Sequence, residues 1–146
     1  MRFRGSVAEG LSAVQLLEGL PAKQLRVVSQ LSTPLELPAG TALAEEGTTG
    51  REFFMVVAGE VEVSRGHRLV ATRGPGSHLG EIALLERCPR TATLIAKTPV
   101  SVAVASLGEF ASMLQLVPAI AVRLDASTTQ RLAELATRSD AKRVAH

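Results

Sequence analysis

The stretch GEIALLERCPRTATL, Gly80 to Leu94, sets one carboxylate, Glu81, ahead of one guanidinium, Arg90, with a short apolar segment between them. Gly80 allows close approach to the backbone. EIALLE reads as one or two helical turns, so the amides of Ile82, Ala83 and Leu84 are first-turn donors without intrahelical acceptors, a natural place for an anion. Arg90, after Pro89, can present a two-pronged donor to phosphate oxygens. A phosphate would repel Glu81, which makes sense only if that carboxylate accepts from a neutral group such as a ribose hydroxyl. Phosphate plus sugar hydroxyl points to a nucleotide. The absence of a Walker lysine and of paired carboxylates for magnesium argues against a triphosphate.

The segment LGEIALLERCPRTATLIA closely resembles the phosphate-binding cassette of cyclic nucleotide-binding domains. This family includes catabolite-activator-type regulators, protein kinase A regulatory subunits and cyclic-nucleotide-gated channels. Its pattern is roughly Gly-Glu-(Leu/Ile/Met)-Ala-Leu, a few residues, then Pro-Arg-(Ser/Ala/Thr)-Ala-(Thr/Ser). The resemblance extends over about Leu16 to Ala136: ELPAGTALAEEG resembles the family's early strands, and FFMVVAGEVEV its hydrophobic-Gly-x-Val-x-Val pair. Phe54 stands where Tyr is common, a departure with no consequence visible in the sequence.

The resemblance implies roles. Gly80 opens the cassette, Glu81 binds the ribose 2′-hydroxyl, and Arg90 pairs with the cyclic phosphate. The amides of Ile82, Ala83 and Ala92 supply the remaining phosphate contacts. The Thr91 hydroxyl contacts the phosphate or the edge of a syn guanine. Val63 and Val70 lie on strands resembling the walls beside the purine. RLDASTTQRL resembles the segment that reaches over the base, with Ser127 or Thr128 as hydrogen-bond partner.

Plainer readings stand beside these. Glu81 and Arg90 taken singly could be surface charges or an ion pair. Val63 and Val70 read better as core than as ligand wall, since strand valines usually pack inward. Mid-helix hydroxyls such as Ser127 and Thr128 most often bond the carbonyl four residues back. Cys88 reads better as a small apolar filler than as a redox switch. His67 and His78 would suit a metal-binding roll, but lack the closely spaced His-x-His and its carboxylate.

The elements that must hold the cassette follow from the hydrophobic rhythm. Leu16, Leu17, Leu20, Leu25, Val28 and Leu31 recur at threes and fours, which predicts two short helices joined near Gly19-Leu20-Pro21. From Thr33 the chain becomes short strands cut by Gly, Pro and polar pairs, with SRGHR as a hairpin connection. After the cassette, TATLIAKTPVSVAVAS returns to strand with a turn near Lys97-Thr98-Pro99. Ser106 and Glu109 form a capping-box signature for a helix to about Leu116, and Pro118 can open a last helix. The expected fold is mainly β: an antiparallel β-roll, jelly-roll-like as a double-stranded β-helix, with N-terminal helices, a short internal cassette helix and two C-terminal helices. Residues 1–10 read as a flexible arm, 11–138 as the cyclic nucleotide-binding domain, and 139–146 as a polar tail or linker start.

Bulk composition agrees with one globular domain. The 146 residues are 46% hydrophobic and 21% charged, with no Trp or Tyr and four Phe, so the core must be Val, Leu, Ile and Ala. Sixteen basic against fourteen acidic residues is too balanced to advertise nucleic-acid binding. Cys88 is the single cysteine, which suits a reducing compartment such as the cytoplasm. No signal-peptide pattern and no membrane-spanning run is present.

The expected function is therefore that of a sensor rather than an enzyme. It takes no cofactor or metal; its ligand is cAMP, with cGMP kept open by Thr91. Output would pass through the helix from about Pro118 to Arg138 to an effector domain or protein. The few residues after it leave no room for a DNA-binding helix-turn-helix, and its apolar positions are too few for a coiled coil. The alternatives are a nucleotide-free interaction domain of the same fold, or the regulatory fragment of a larger transporter, channel or enzyme.

Overall fold

The structure, a computed structural model, describes residues 10–125. Eight strands form two four-stranded antiparallel sheets. One sheet runs β1 (Thr33–Leu37), β8 (Val100–Ser106), β3 (Glu52–Ala58), β6 (His78–Leu79). The other runs β2 (Ala42–Ala44), β7 (Thr93–Ala96), β4 (Val61–Arg65), β5 (Arg68–Arg73). This is the β-roll of the sequence reading. Each sheet mixes strands from both ends of the chain, so the roll closes only when β7 and β8 return past the cassette.

The run Phe53 to Val56 in β3 is buried throughout because both of its faces are covered. Alternation sends Phe53 and Met55 toward the helices, and Phe54 and Val56 into the space between the sheets. β8 divides in the same way: Val102 and Val104 fill the inter-sheet core, while Ala103 and Ala105 face the helices. The small alanines leave room for Phe110, Met113, Val117, Ile120 and Leu124 of the C-terminal helices.

The two short N-terminal helices expected around Pro21 are unequal. The first is a single 3-10 turn, Gln15–Leu17; the second is α1, Ala22–Gln30, which starts directly after Pro21. The β4–β5 hairpin turns on Gly66 and His67, with φ of 59° and 66°, the two left-handed positions of a type I′ turn. Glu46 holds this turn from outside, accepting from the Gly66 amide at 2.9 Å.

The cassette helix α2 spans Glu81–Leu85, and α3 spans Leu107–Leu116. At α3 the Ser106 hydroxyl accepts from the Glu109 amide at 3.1 Å, and the Glu109 carboxylate accepts from the Ser106 amide at 2.9 Å. The capping box is thus formed as the sequence implied. After a 107° bend, α4 begins at Pro118 and is described to Asp125. Arg123 ties α4 to the N-terminal turn, donating from Nη1 to the carbonyls of Leu16 at 2.8 Å and Glu18 at 2.9 Å. Among the described residues, no single helix is long and apolar enough to cross a membrane.

Candidate functional site

The cassette bridges the two sheets, leaving β6 at Gly80 and entering β7 at Thr93. Gly80 is in the left-handed region, φ 94°. A Cβ there would lie 2.7 Å from Arg90 Nη1 and 2.8 Å from the Glu52 carbonyl oxygen, so glycine is required on two counts. α2 then runs for five residues. It closes with Arg87 at φ 53° and the Cys88 amide donating to the Ala83 carbonyl at 3.2 Å, a Schellman-type ending built on an arginine instead of the usual glycine.

Arg90 is 6% exposed and held from several directions. Nη1 donates to the Gly80 carbonyl at 3.0 Å and Nη2 to the Glu52 carbonyl at 2.8 Å. Its main chain is pinned as well: the amide donates to the Thr48 carbonyl at 2.8 Å, and its carbonyl accepts from the Gly47 amide at 2.9 Å. The guanidinium carbon lies 5.7 Å from the Phe54 ring centroid. Burial pushes the Arg90 guanidinium below its ordinary pKa, and the Glu52 and Glu81 carboxylates oppose that shift. A guanidinium has five N–H groups, and the two carbonyls take two of them, so donors remain for an anion.

Glu81 is fully buried at the first position of α2, and its Oε2 lies 3.9 Å from Nε2 of His78. The carboxylate and the guanidinium border one pocket, of about 630 Å³ including the open space at its mouth. Gly80, Glu81, Ile82 and Ala83 line one side of it, and Arg90, Thr91 and Ala92 the next. Val63 and Val70 line it too. The core reading and the wall reading thus meet at Val63, while Val70 is only partly buried. Val63 is partly buried too and packs against the inter-sheet core, and each valine borders the open space. Ser127 and Thr128, the remaining candidates, lie outside the described residues.

The sequence reading missed several participants. Arg73, Leu79 and Leu94 also line the pocket. Leu79 and Leu94 sit in short apolar runs with nothing to set them apart from core. Arg73 stands at the end of β5, well past the SRGHR connection that marked the hairpin. Phe54, set aside as a departure without consequence, supplies the aromatic face near Arg90. Gly50 is a space-maker: a Cβ there would meet Arg90 Nε at 2.7 Å and the Ala83 Cβ at 2.8 Å.

Cys88 borders a second cleft, between α2 and α3, that Leu84, Leu85, Leu107, Phe110 and Leu114 also line. Burial pushes its thiol up, and the neighbouring Glu86 carboxylate adds to the effect. A metal-binding roll finds no donor set here. Exposed His67 sits in the hairpin turn and buried His78 in β6, and no group of three His, Cys, Asp or Glu able to hold an ion occurs among the described residues.

Residues 34–116 match the family model of the cyclic nucleotide-binding domain, and the chain belongs to that family. It is 35% identical over 114 residues to the Pycsar effector protein XpPycTIR of Xanthomonas perforans, covering 77% of this chain and 37% of that protein. It is 37% identical over 103 residues to the cAMP-dependent protein kinase regulatory subunit of Yarrowia lipolytica, covering 68% of this chain and 28% of that one. Among solved structures, cAMP-bound PfPKA-R superposes with a TM-score of 0.77 at 25% identity, over 92% of this chain and 48% of the other. The aligned part of this chain thus spans well under half the length of these two curated relatives. Family and fold together define a cyclic nucleotide-binding regulatory domain.

Proposed function

We propose that the chain senses a cyclic mononucleotide in the pocket between α2 and the β4–β5 hairpin. Arg90 and the amides of Ile82, Ala83 and Ala92 hold the cyclic phosphate, and Glu81 accepts from the ribose 2′-hydroxyl. The purine rests against Val63 and Val70. One observation carries this reading: Arg90, Glu81 and the start of α2, arranged about an anion and a sugar in the sequence, border a single cavity walled by apolar strand residues. Domain limits of 11–138 accommodate it, with Ser127 or Thr128 as base contacts. A lone thiol fits a reducing, cytoplasmic setting.

cAMP is the proposed ligand, supported by the cAMP held in the PfPKA-R structure that this chain resembles. Thr91 at the pocket edge is the specific observation in favour of cGMP. Calorimetric titration of the whole chain with cAMP, cGMP and linear AMP tests the reading. We expect cAMP to bind most tightly and AMP, whose phosphate is not a singly charged diester, at least tenfold more weakly. A tenfold preference for cGMP would reverse the choice of base, and no binding of either cyclic nucleotide would reject the sensor.

The output would be a shift of the C-terminal helices, because a ligand moves an equilibrium only by its differential affinity for two states. The connection is supported by packing: Leu84 of the cassette helix shares a core with Phe110, Met113, Val117, Ile120 and Leu124. The cleft between α2 and α3, about 1320 Å³ with its open space, leaves the two helices room to shift against each other. The responding effector would be a domain or protein reached through α4 and its continuation.

A further inference from the structure

His78 is the one buried imidazole among the described residues, 7% exposed, and the ligand reading gives it no task. Its backbone is fixed, because His78 pairs with Met55 of β3 and the next strand residue, Leu79, pairs with Phe54. Its ring lies against Phe53, with centroids 6.0 Å apart and planes at 41°. Strand pairing on its backbone and the Phe53 ring on one side place the imidazole beside its neighbour on the cassette helix. That neighbour is Glu81, three residues on, whose Oε2 lies 3.9 Å from the imidazole Nε2. The separation is longer than a hydrogen bond, and across it a protonated imidazole attracts the carboxylate where water is excluded. A fully buried carboxylate is costly unless charge and dipoles around it compensate, and the uncompensated alternative is a protonated or displaced acid. Arg90 lies on the pocket side of that carboxylate, which opposes the downward shift that burial imposes on the guanidinium.

We infer that His78 is a positioning residue for the sugar subsite: it holds the Glu81 carboxylate, charged and oriented, for the ribose 2′-hydroxyl. This rests on the proposed role of Glu81. It adds that the imidazole behind the carboxylate sets the strength of the hydroxyl contact without touching ligand. An acceptor that stays ionised bonds a hydroxyl about twice as strongly as a neutral one. The effect of removing His78 must then depend on whether the ligand carries that hydroxyl.

The test compares cAMP with 2′-deoxy-cAMP on the whole chain, wild type and His78→Phe, by calorimetry. The wild type is expected to bind 2′-deoxy-cAMP at least tenfold more weakly than cAMP. His78→Phe is expected to lose at least fivefold for cAMP and less than twofold for 2′-deoxy-cAMP, shrinking the gap between the ligands. His78→Gln, which retains a donor, is expected to fall between wild type and His78→Phe, and it serves as the test variant if His78→Phe does not fold. Equal losses for both nucleotides, or no loss for either, would overturn the inference and leave the histidine a packing residue. A wild type that binds cyclic nucleotide without distinguishing the deoxy ligand would overturn the role of Glu81 and this inference with it. A wild type that binds neither would instead reject the sensor reading itself.

Discussion

Arg90 and Gly80 hold each other in place. The Arg90 Nη1 donates to the Gly80 carbonyl at 3.0 Å, and a side chain on Gly80 would run into that same nitrogen. The residue that opens the cassette and the cation that closes it are therefore one unit. The Glu52 carbonyl anchors the second guanidinium nitrogen, and the Phe54 ring lies nearby.

The first consequence concerns binding. Arg90→Ala removes the charge proposed to face the phosphate and leaves the carbonyls of Gly80 and Glu52 without their donor. Loss of one member of a buried charge pair costs on the order of 2–5 kcal/mol, so cAMP affinity should fall at least ~30-fold, about 2 kcal/mol. Arg90→Lys keeps the charge, but a single ammonium cannot reproduce the fork that spans both carbonyls, so it should recover only part of the loss. Calorimetry of the two variants decides. Near-normal affinity of Arg90→Ala would remove Arg90 from the site.

Gly80→Ala should damage both fold and site. The left-handed backbone alone costs a residue with a Cβ roughly 1–2 kcal/mol, and displacement from the Glu52 carbonyl and Arg90 adds to it. We expect a lower urea midpoint together with weaker cyclic nucleotide binding. A variant whose unfolding curve overlays that of the wild type would mean that the cassette adapts at no cost.

The thiol of Cys88 offers a pH measurement. Burial first, then Glu86, raises its pKa in the folded protein. The sign follows from proton linkage: the folded state holds the thiol proton more tightly than the unfolded chain. The associated stabilisation is present below the ordinary thiol pKa and is lost as pH rises through the raised value. Alkylation by iodoacetamide should therefore show its pH midpoint higher in the folded protein than in urea. A folded midpoint equal to or below the unfolded one would contradict the environment seen between α2 and α3.

Arg123 bonds the carbonyls of Leu16 and Glu18 and so clamps α4 to the N-terminal turn. Arg123→Met preserves the aliphatic stem and removes the donors. Hydrogen bonds from a charged group contribute about 1.5–3 kcal/mol each when buried; partial exposure lowers that, and a loss of about 1–2 kcal/mol for the pair is expected by urea denaturation. An unchanged midpoint would show that α4 is held by its apolar face alone.

What could be read along the chain was whatever lies close together in it. The cassette places Gly80, Glu81 and Arg90 within one short segment, so their chemistry was visible as a pattern. The Ser106–Glu109 cap and the Gly66-His67 turn are decided by neighbouring residues, and both formed as read. Alternation in VEV and the unbroken FFMVV marked strands, because side chains on a pleated strand change face at every residue. The contacts that give the site its geometry are different in kind. Arg90 reaches the carbonyl of Glu52, 38 residues away, and lies near Phe54, because β3 carries both residues past the cassette. His78 meets Phe53 because β6 pairs with β3 in the register Met55 to His78. Val63, Val70 and Arg73 border a cavity in a hairpin joined to the rest of its sheet through β7, with β5 at the sheet edge. A valine on a strand carries the same pattern whether it meets another side chain or an empty pocket. That outcome depends on strand order, register and closure of the roll, which are properties of contacts distant in the chain and leave no local mark in it.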